Sequence, residues 1–130
     1  MHALIIEDEA LISSMIEEIL RDCGFSSFDL AFSCQEAVAC AQRTCPDLIT
    51  SDVELRLGNG IEAVKLICSG PRIPVIFITS CAAEVTSTMP LLPCLLKPFP
   101  KEALICAVEE VFAAAAGRPV TEASRLASSN

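Results

Sequence analysis

The sequence has no tryptophan, no tyrosine and a single histidine, His2, and aromatic residues make up only 5% of its 130 positions. The core must therefore be built from aliphatic side chains and alanine, which suits helices packed against a sheet. A zinc site is disfavoured, because His2 is the only imidazole ligand available. The length allows one domain with a single core.

Basic residues are also few, at 9 Lys and Arg against 17 Asp and Glu, which gives a formal net charge of −8. They are scattered from Arg21 to Arg125, whereas binding to nucleic-acid phosphates requires clustered cations, so we do not expect direct nucleic-acid binding. No apolar run reaches the roughly 18 residues of a membrane span, and the N-terminus lacks the features of a signal peptide. We therefore expect a cytoplasmic protein without membrane insertion.

The eight cysteines include no C-x-x-C pair, and several fall within helix or strand patterns. This spacing argues against a disulfide scaffold. We expect free thiols that pack as small hydrophobic side chains. The eight are Cys23, Cys34, Cys40, Cys45, Cys68, Cys81, Cys94 and Cys106.

Short aliphatic runs alternate with helical patterns along the chain, which predicts βαβ units and a parallel sheet. Apolar residues from Leu11 to Leu20 recur at helical spacing, and Gly24 lies where a C-terminal cap belongs. The residues from Ser33 to Glu36 have the form of a capping box, and further helices are predicted over 61–68 and 101–115. The predicted strands are 3–6, 28–32, 48–51, 74–79 and 93–96.

The pattern weakens between the fourth and fifth predicted strands, where Pro90 and Pro93 leave room for a short helix only. We therefore expect a shortened or irregular fourth helix. From Gly117 onward the residues are small and polar. The predicted organisation is one folded domain over 1–116 and a flexible C-terminal tail over 117–130.

Polar residues lie at the ends of four of the predicted strands. Glu7 and Asp8 follow the first strand, Asp52 the third and Lys97 the fifth, and Thr79 is the last residue of the fourth. The carboxyl ends of parallel strands form the ligand crevice of an open sheet, so these side chains should converge there. Adjacent anions destabilise a fold unless a cation lies among them, and Mg²⁺ prefers a few carboxylates.

This set has a chemical logic. A carboxylate can accept a phosphoryl group when a metal, a hydroxyl and an ammonium contact the incoming oxygens. Asp52 would be the nucleophile, Asp8 and Glu7 the metal ligands, Thr79 the hydroxyl and Lys97 the ammonium. Each residue alone is an ordinary turn, cap or strand residue, so the prediction depends on their joint occurrence at successive strand ends.

The motifs "IIEDE", "LITSDVEL", "GIEAV", "VIFITS" and "LLKPF" together resemble the receiver domain of two-component response regulators, over about residues 3–115. The resemblance implies a doubly wound five-stranded sheet of strand order 2-1-3-4-5, dependence on Mg²⁺, and phosphorylation of an aspartate by a partner's phosphohistidine.

The resemblance also assigns roles by position. Asp52 matches the phosphoacceptor, Thr79 the switch hydroxyl, and Lys97 the lysine before the family's usual cis-proline, here Pro98. The metal ligands implied are Glu7 and Asp8, which match the acidic pair, together with Asp52 and the backbone carbonyl of Glu54.

Three features depart from the family pattern. The acidic pair Glu7-Asp8 is Glu-Asp instead of the commoner Asp-Asp. Cys94 occupies the position of the usual switch aromatic, and the segment over 80–92 is short. The acidic start and the abbreviated segment also resemble the receiver half of sigma-factor-mimicking stress regulators, although no sigma-like segment precedes Met1.

Without an effector segment, we expect a single-domain response regulator that acts through protein contacts. The expected partners are a histidine kinase or histidine phosphotransfer protein and a downstream protein. The first helix and the loop over 98–101 would dock the donor. Leu11 and Met15 fit either that surface or the core, and helical periodicity favours the core. A homodimer through the last helix stays open.

Two other functions fit part of the sequence. A degenerate receiver could serve as a binding module without phosphorylation, and Cys94 in place of the aromatic favours this reading. A Mg²⁺-dependent phosphotransfer enzyme acting on nucleic acid could also use Glu7 and the acids of "DVE", but the acidic net charge and the Lys97-Pro98 pair count against it.

Overall fold

A computed structural model describes residues 1–81, 85, 87, 89 and 92–117. Its five strands are parallel and form one sheet in the order β2-β1-β3-β4-β5, which confirms the doubly wound sheet of order 2-1-3-4-5. The strands are β1 (His2–Ile6), β2 (Ser27–Ala31), β3 (Leu48–Ser51), β4 (Val75–Thr79) and β5 (Cys94–Leu96). The helices are α1 (Ala10–Asp22), α2 (Cys34–Arg43), α3 (Gly60–Ile67) and α4 (Lys101–Ala115).

The sheet has a hydrophobic layer on each face. Helices α1 and α4 cover one face and pack on Ile5, whereas α2 and α3 cover the other and pack on Leu4 and Ile6. Strands β3 and β4 are buried along their whole length. Burial on both faces explains why these strands read as continuous apolar runs instead of alternating patterns.

The predicted helix boundaries correspond to caps. The Ser33 hydroxyl accepts a hydrogen bond from the Glu36 N–H at 3.1 Å, and the Glu36 carboxylate accepts one from the Phe32 N–H at 3.3 Å. The capping box therefore forms, with its return bond one residue earlier than in the standard pattern. Asn59 caps α3 through its side chain, and Gly24, at φ 100°, follows the end of α1.

Helix α1 corrects one expectation. Leu11 is 87% exposed and Met15 is 38% exposed, so the core packing that periodicity favoured is wrong. The reason is that the buried stripe of α1 includes the small Ser13, from which Leu11 lies about half a turn away. An exposed apolar pair therefore lies on α1.

All eight cysteines lie in the described residues and are free thiols, as expected. Only Cys40 is buried, while Cys45 and Cys81 are exposed and the remaining five are intermediate. Cys40 lies in the core, and Cys23, Cys34, Cys68 and Cys94 are partly buried and pack against it. The expectation that the cysteines act as small hydrophobic side chains is therefore confirmed for these five.

Two expectations fall outside the described residues. The irregular fourth helix falls mainly on residues 82–84, 86, 88, 90 and 91, and the tail falls on 118–130. Within the part of the chain that is described, no helix has the length and apolar character needed to cross a membrane.

Candidate functional site

The site begins where the two central strands β1 and β3 end side by side. Ile6 and Ser51 are register partners, and the Asp52 N–H donates to the Ile6 carbonyl at 2.9 Å. The next residues of the two strands, Glu7 and Asp52, therefore leave the sheet at the same edge. The convergence predicted for Glu7 and Asp52 is present.

Four carboxylates gather at this edge. Glu7, Asp8, Glu9 and Asp52 each offer one oxygen, and these oxygens all lie within 4.8 Å of one another. Glu7 is 1% exposed and Asp52 is 6% exposed, so burial removes most of the water around these two carboxylates. Such an arrangement requires a nearby positive charge.

Lys97 supplies that charge from the end of β5. Its Nζ lies 2.7 Å from Glu7 Oε1, 2.8 Å from Asp52 Oδ2 and 3.6 Å from Glu9 Oε1. The Lys97 side chain is 12% exposed. One largely buried ammonium thus bridges the first and third strand ends and neutralises part of the negative charge.

Burial and charge pairing act in opposite directions on these groups. Burial raises the pKa of Glu7 above its usual range, although the contact with Lys97 and the Glu9 N–H, 3.1 Å from Glu7 Oε2, lower it in part. Burial alone would lower the pKa of Lys97, but the contacts with Asp52 and Glu7 outweigh it and raise that pKa. Lys97 therefore stays charged throughout the physiological range.

The loop between β3 and α3 holds two of the carboxylates through backbone groups. The Arg56 N–H donates to Asp8 Oδ2 at 2.7 Å, and the Glu54 N–H donates to Asp52 Oδ1 at 3.2 Å. The Glu54 side chain itself is exposed. The loop therefore orients Asp8 and Asp52 without adding a further buried side chain.

Gly60, the first residue of α3, brings the loop back against the site. A Cβ at this position would lie 1.7 Å from the Asp52 carbonyl oxygen and 2.5 Å from Ser51 Oγ. The Gly60 N–H donates to the Val53 carbonyl at 2.8 Å. Only glycine allows the backbone to approach this closely behind Asp52.

Thr79 and Lys97 are positioned by the pairing of β4 with β5. The Lys97 N–H donates to the Thr79 carbonyl at 2.9 Å, and the buried Thr79 hydroxyl accepts a hydrogen bond from the Cys81 N–H at 3.3 Å. The Lys97-Pro98 peptide is cis. Cys94, at the start of β5, is half-buried against the α2–α3 layer, and burial raises the pKa of its thiol.

The donor set fits a hard divalent cation. The candidate ligands Glu7, Asp8 and Asp52 offer carboxylate oxygens, and Glu54 lies on the loop that holds two of them. Four carboxylates face one ammonium, so the negative charge is only partly compensated. Mg²⁺ prefers oxygen ligands of this type and few in number.

Three groups at the site were not among the predicted site residues. Glu9 was visible in the sequence as the third acid of "EDE", and Gly60 as the second glycine of "LGNG". The Arg56 N–H leaves no trace in a sequence, because almost every residue type carries a backbone donor.

Comparisons with known proteins identify the family of the chain. A family model described as the response regulator receiver domain matches residues 3–109. The transcriptional regulatory protein PdtaR of Mycobacterium tuberculosis is 36% identical over 110 residues, which cover 82% of this chain and 54% of PdtaR. The chain thus spans about half the length of this curated relative.

Solved structures of receiver-containing proteins have the same fold. The anti-anti-sigma factor PhyR from Bartonella quintana superposes with a TM-score of 0.78 at 30% identity, covering 89% of this chain and 49% of PhyR. The receiver domain of the PhyR response regulator from Erythrobacter litoralis has a TM-score of 0.76 at 29% identity, covering 85% of this chain and 88% of that domain.

Proposed function

The chain belongs to the response regulator receiver domain family, and we propose that Asp52 accepts a phosphoryl group from a histidine kinase or a histidine phosphotransfer protein. Receiver domains are signalling phosphoacceptors that interact with kinases and downstream partners. The proposal assigns that role to one residue of this chain and names the groups that assist it.

The observation that carries the proposal is the position of Lys97 Nζ, within 2.8 Å of both Glu7 and Asp52. A buried aspartate that is paired with a largely buried ammonium and lies beside further carboxylates is costly as a purely structural element. The pKa values of Glu7 and Lys97 are both raised at this site, and groups with shifted pKa values cluster at functional sites. The Asp52 carboxylate contacts Lys97 Nζ through Oδ2 and the N–H of Glu54, on the loop between β3 and α3, through Oδ1.

We assign the Mg²⁺ ligands to Glu7, Asp8, Asp52 and the backbone carbonyl of Glu54. When bound, the ion would neutralise charge on the oxygens of the incoming phosphoryl group. Arg56 orients Asp8 through its N–H, so the loop arranges this ligand before any ion arrives. Gly60 keeps the backbone of that loop close to Asp52.

In the transfer step an Asp52 carboxylate oxygen forms a bond to phosphorus while the phosphorus–nitrogen bond of the donor's phosphohistidine breaks. The electron pair of that bond returns to the imidazole nitrogen. Lys97 pairs with a phosphoryl oxygen once Asp52 no longer carries a free carboxylate. The Thr79 hydroxyl leaves the Cys81 N–H to contact another oxygen. Hydrolysis of the same acyl phosphate returns Asp52 to its initial state.

The donor protein docks beside the site. Leu11 and Met15 expose apolar surface on the first half of α1, which begins directly after the acidic stretch. The loop over 98–101 follows Lys97 and leads into α4, which covers the same face of the sheet as α1. A donor that contacts both segments would present its phosphohistidine to Asp52. Phosphorylation is then passed on, in the cytoplasm, through contact with a further protein.

Intact-mass measurement tests the proposal. Incubation with Mg²⁺ and acetyl phosphate should add one base-labile phosphoryl group to the wild-type protein and none to Asp52→Asn. Asp29→Asn provides a matched control, because Asp29 contacts His2 at the amino end of the sheet, away from the site. This variant should be phosphorylated normally. Absence of the adduct in the wild type would favour the phosphorylation-independent binding module, and turnover of nucleic acid would favour the phosphotransfer enzyme.

A further inference from the structure

Glu9 differs from the other three carboxylates at the site. Its side chain is 59% exposed, whereas those of Glu7 and Asp52 are 1% and 7% exposed. Its Oε1 lies 3.6 Å from Lys97 Nζ, farther than the direct contacts made by Glu7 and Asp52. Glu9 is therefore an anion at the solvent-facing mouth of the site, within reach of the bridging ammonium.

The backbone and the side chain of Glu9 have separable roles. The Glu9 N–H donates to Glu7 Oε2 at 3.1 Å and so fixes the buried carboxylate. Glu9 is also the N-cap of α1, but its side chain makes no capping hydrogen bond. Helix initiation and the orientation of Glu7 thus depend on the backbone of residue 9, and neither requires its carboxylate.

We propose that the Glu9 carboxylate is a specificity-determining group, which disfavours small anionic phosphodonors at the Asp52 site. The inference rests on the proposed phosphorylation of Asp52 and goes further by naming the donor class that the site selects against. Glu9 competes with an incoming phosphoryl group for Lys97 and repels the negative charge that the group carries.

Charge counting supports this role. With all four carboxylates ionised, one ammonium leaves three negative charges uncompensated, and a divalent cation leaves one. Without the Glu9 carboxylate, none remains. A small anion meets this residual charge with no other contact to offset it, whereas a donor protein is also held by apolar contacts such as Leu11. The repulsion by Glu9 therefore slows phosphorylation by the small donor more than phosphorylation by the donor protein.

Glu9→Gln tests the inference, because it removes the charge and keeps both the side-chain length and the N–H to Glu7. Initial rates of Asp52 phosphorylation are compared at saturating Mg²⁺ and low ionic strength. Acetyl phosphate should react about three- to tenfold faster with the variant than with the wild type, as expected for one charge removed close to the reacting centre. The gain should be smaller with phosphoramidate, whose protonated nitrogen reduces its net charge, and should shrink at high salt.

Glu18→Gln is the matched control, since Glu18 lies exposed on the same helix and its loss should leave all these rates unchanged. A second readout is metal affinity by calorimetry, which should fall about threefold in Glu9→Gln because one anion is removed. Equal or lower rates with acetyl phosphate in Glu9→Gln, with both proteins phosphorylated, would overturn the inference and leave the proposed function intact. A wild type that takes up no phosphate would overturn both.

Discussion

The same sheet carries polar side chains at both of its ends, and the two sets differ in charge balance. At the amino end, His2 contacts Ser27 Oγ at 2.8 Å and Asp29 Oδ2 at 3.0 Å through its ring, and its N–H donates to Asp47 Oδ2 at 2.7 Å. At the carboxyl end, four carboxylates share one ammonium. The groups at the amino end are half-buried or exposed, whereas Glu7 and Asp52 are buried, so the two sets differ in burial as well as in charge balance.

This difference supports the proposal that the cluster at the carboxyl end is the functional one. The His2 cluster joins β1 to β2 with groups that complement one another, which is what a structural network requires. The cluster around Lys97 keeps an excess of negative charge that packing cannot remove. An imbalance maintained at a cost to stability points to a ligand that restores it. Four substitutions, taken in order of decreasing effect, test this distinction between the two ends of the sheet.

Lys97→Met should have the largest effect. Removing the ammonium leaves Glu7 and Asp52 buried without a partner, and in metal-free buffer the free energy of unfolding should fall by about 3 kcal/mol. Urea denaturation measures it. Mg²⁺ should restore more stability to the variant than it adds to the wild type, because the ion replaces the missing positive charge.

Lys101→Met is the control for charge removal, because the Lys101–Asp22 pair lies on the surface, with side chains 51% and 58% exposed. Its urea midpoint should stay close to that of the wild type. Equal losses of stability in the two lysine variants would mean that the bridging position of Lys97 stabilises the fold no more than a surface ion pair does. That result would contradict the distinction between the two ends.

Gly60→Ala should come next. The new Cβ would lie 1.7 Å from the Asp52 carbonyl oxygen, so the backbone must move, and we expect a loss of about 2 to 3 kcal/mol. Gly70→Ala is the matched control, since a Cβ there meets nothing within 4 Å. Thermal unfolding of both variants measures the difference. Similar melting temperatures would show that the loop behind Asp52 is not tightly constrained.

His2→Ala probes the amino end and should cost about 1 kcal/mol, the typical value for lost side-chain hydrogen bonds of a partly buried residue. The rate of Asp52 phosphorylation should stay at the wild-type level, because the cluster is structural and lies at the opposite edge. Chemical denaturation and the acetyl phosphate assay measure the two quantities. A clear change in phosphorylation rate would remove the distinction between the ends.

Glu7→Gln should show the smallest effect, as a change in pH dependence. The folded-state pKa of Glu7 is raised, so folding favours the protonated carboxyl group. The stability that this proton contributes is fully present below the ordinary pKa of 4.5 and is lost as pH rises through the folded-state pKa. In metal-free buffer, the stability of the wild type relative to Glu7→Gln should therefore fall as pH rises from 4.5 to neutrality. An unchanged difference across that range would contradict the raised pKa.

Much of the fold could be predicted from the sequence because its signals are local. Continuous apolar runs marked the strands within one residue at each end, and Ser33 and Gly24 marked helix ends. The assignment of Leu11 to the core failed, because periodicity alone does not determine which face of an amphipathic stripe a borderline residue occupies. Ser13, a polar residue, took an inward position instead.

From the sequence, the candidate site could be predicted only as far as which strand ends come together. The sequence indicates that Glu7, Asp52 and Lys97 reach one edge, since parallel strands place their carboxyl ends together. It contains nothing to indicate that Lys97 would bridge Glu7 and Asp52, because that contact depends on side-chain conformations across β1, β3 and β5. The hydrogen bond from the Arg56 N–H to Asp8 could not be predicted either, because almost every residue type carries a backbone donor.

Calorimetric titration with Mg²⁺ tests most directly the claim that the charge imbalance at the carboxyl end is a metal site shared with Asp52. The account predicts one bound ion in the wild type, strongly weakened binding in Asp8→Asn and unchanged binding in Asp29→Asn at the other end. Absence of binding in the wild type, or equal binding in Asp8→Asn, would contradict it.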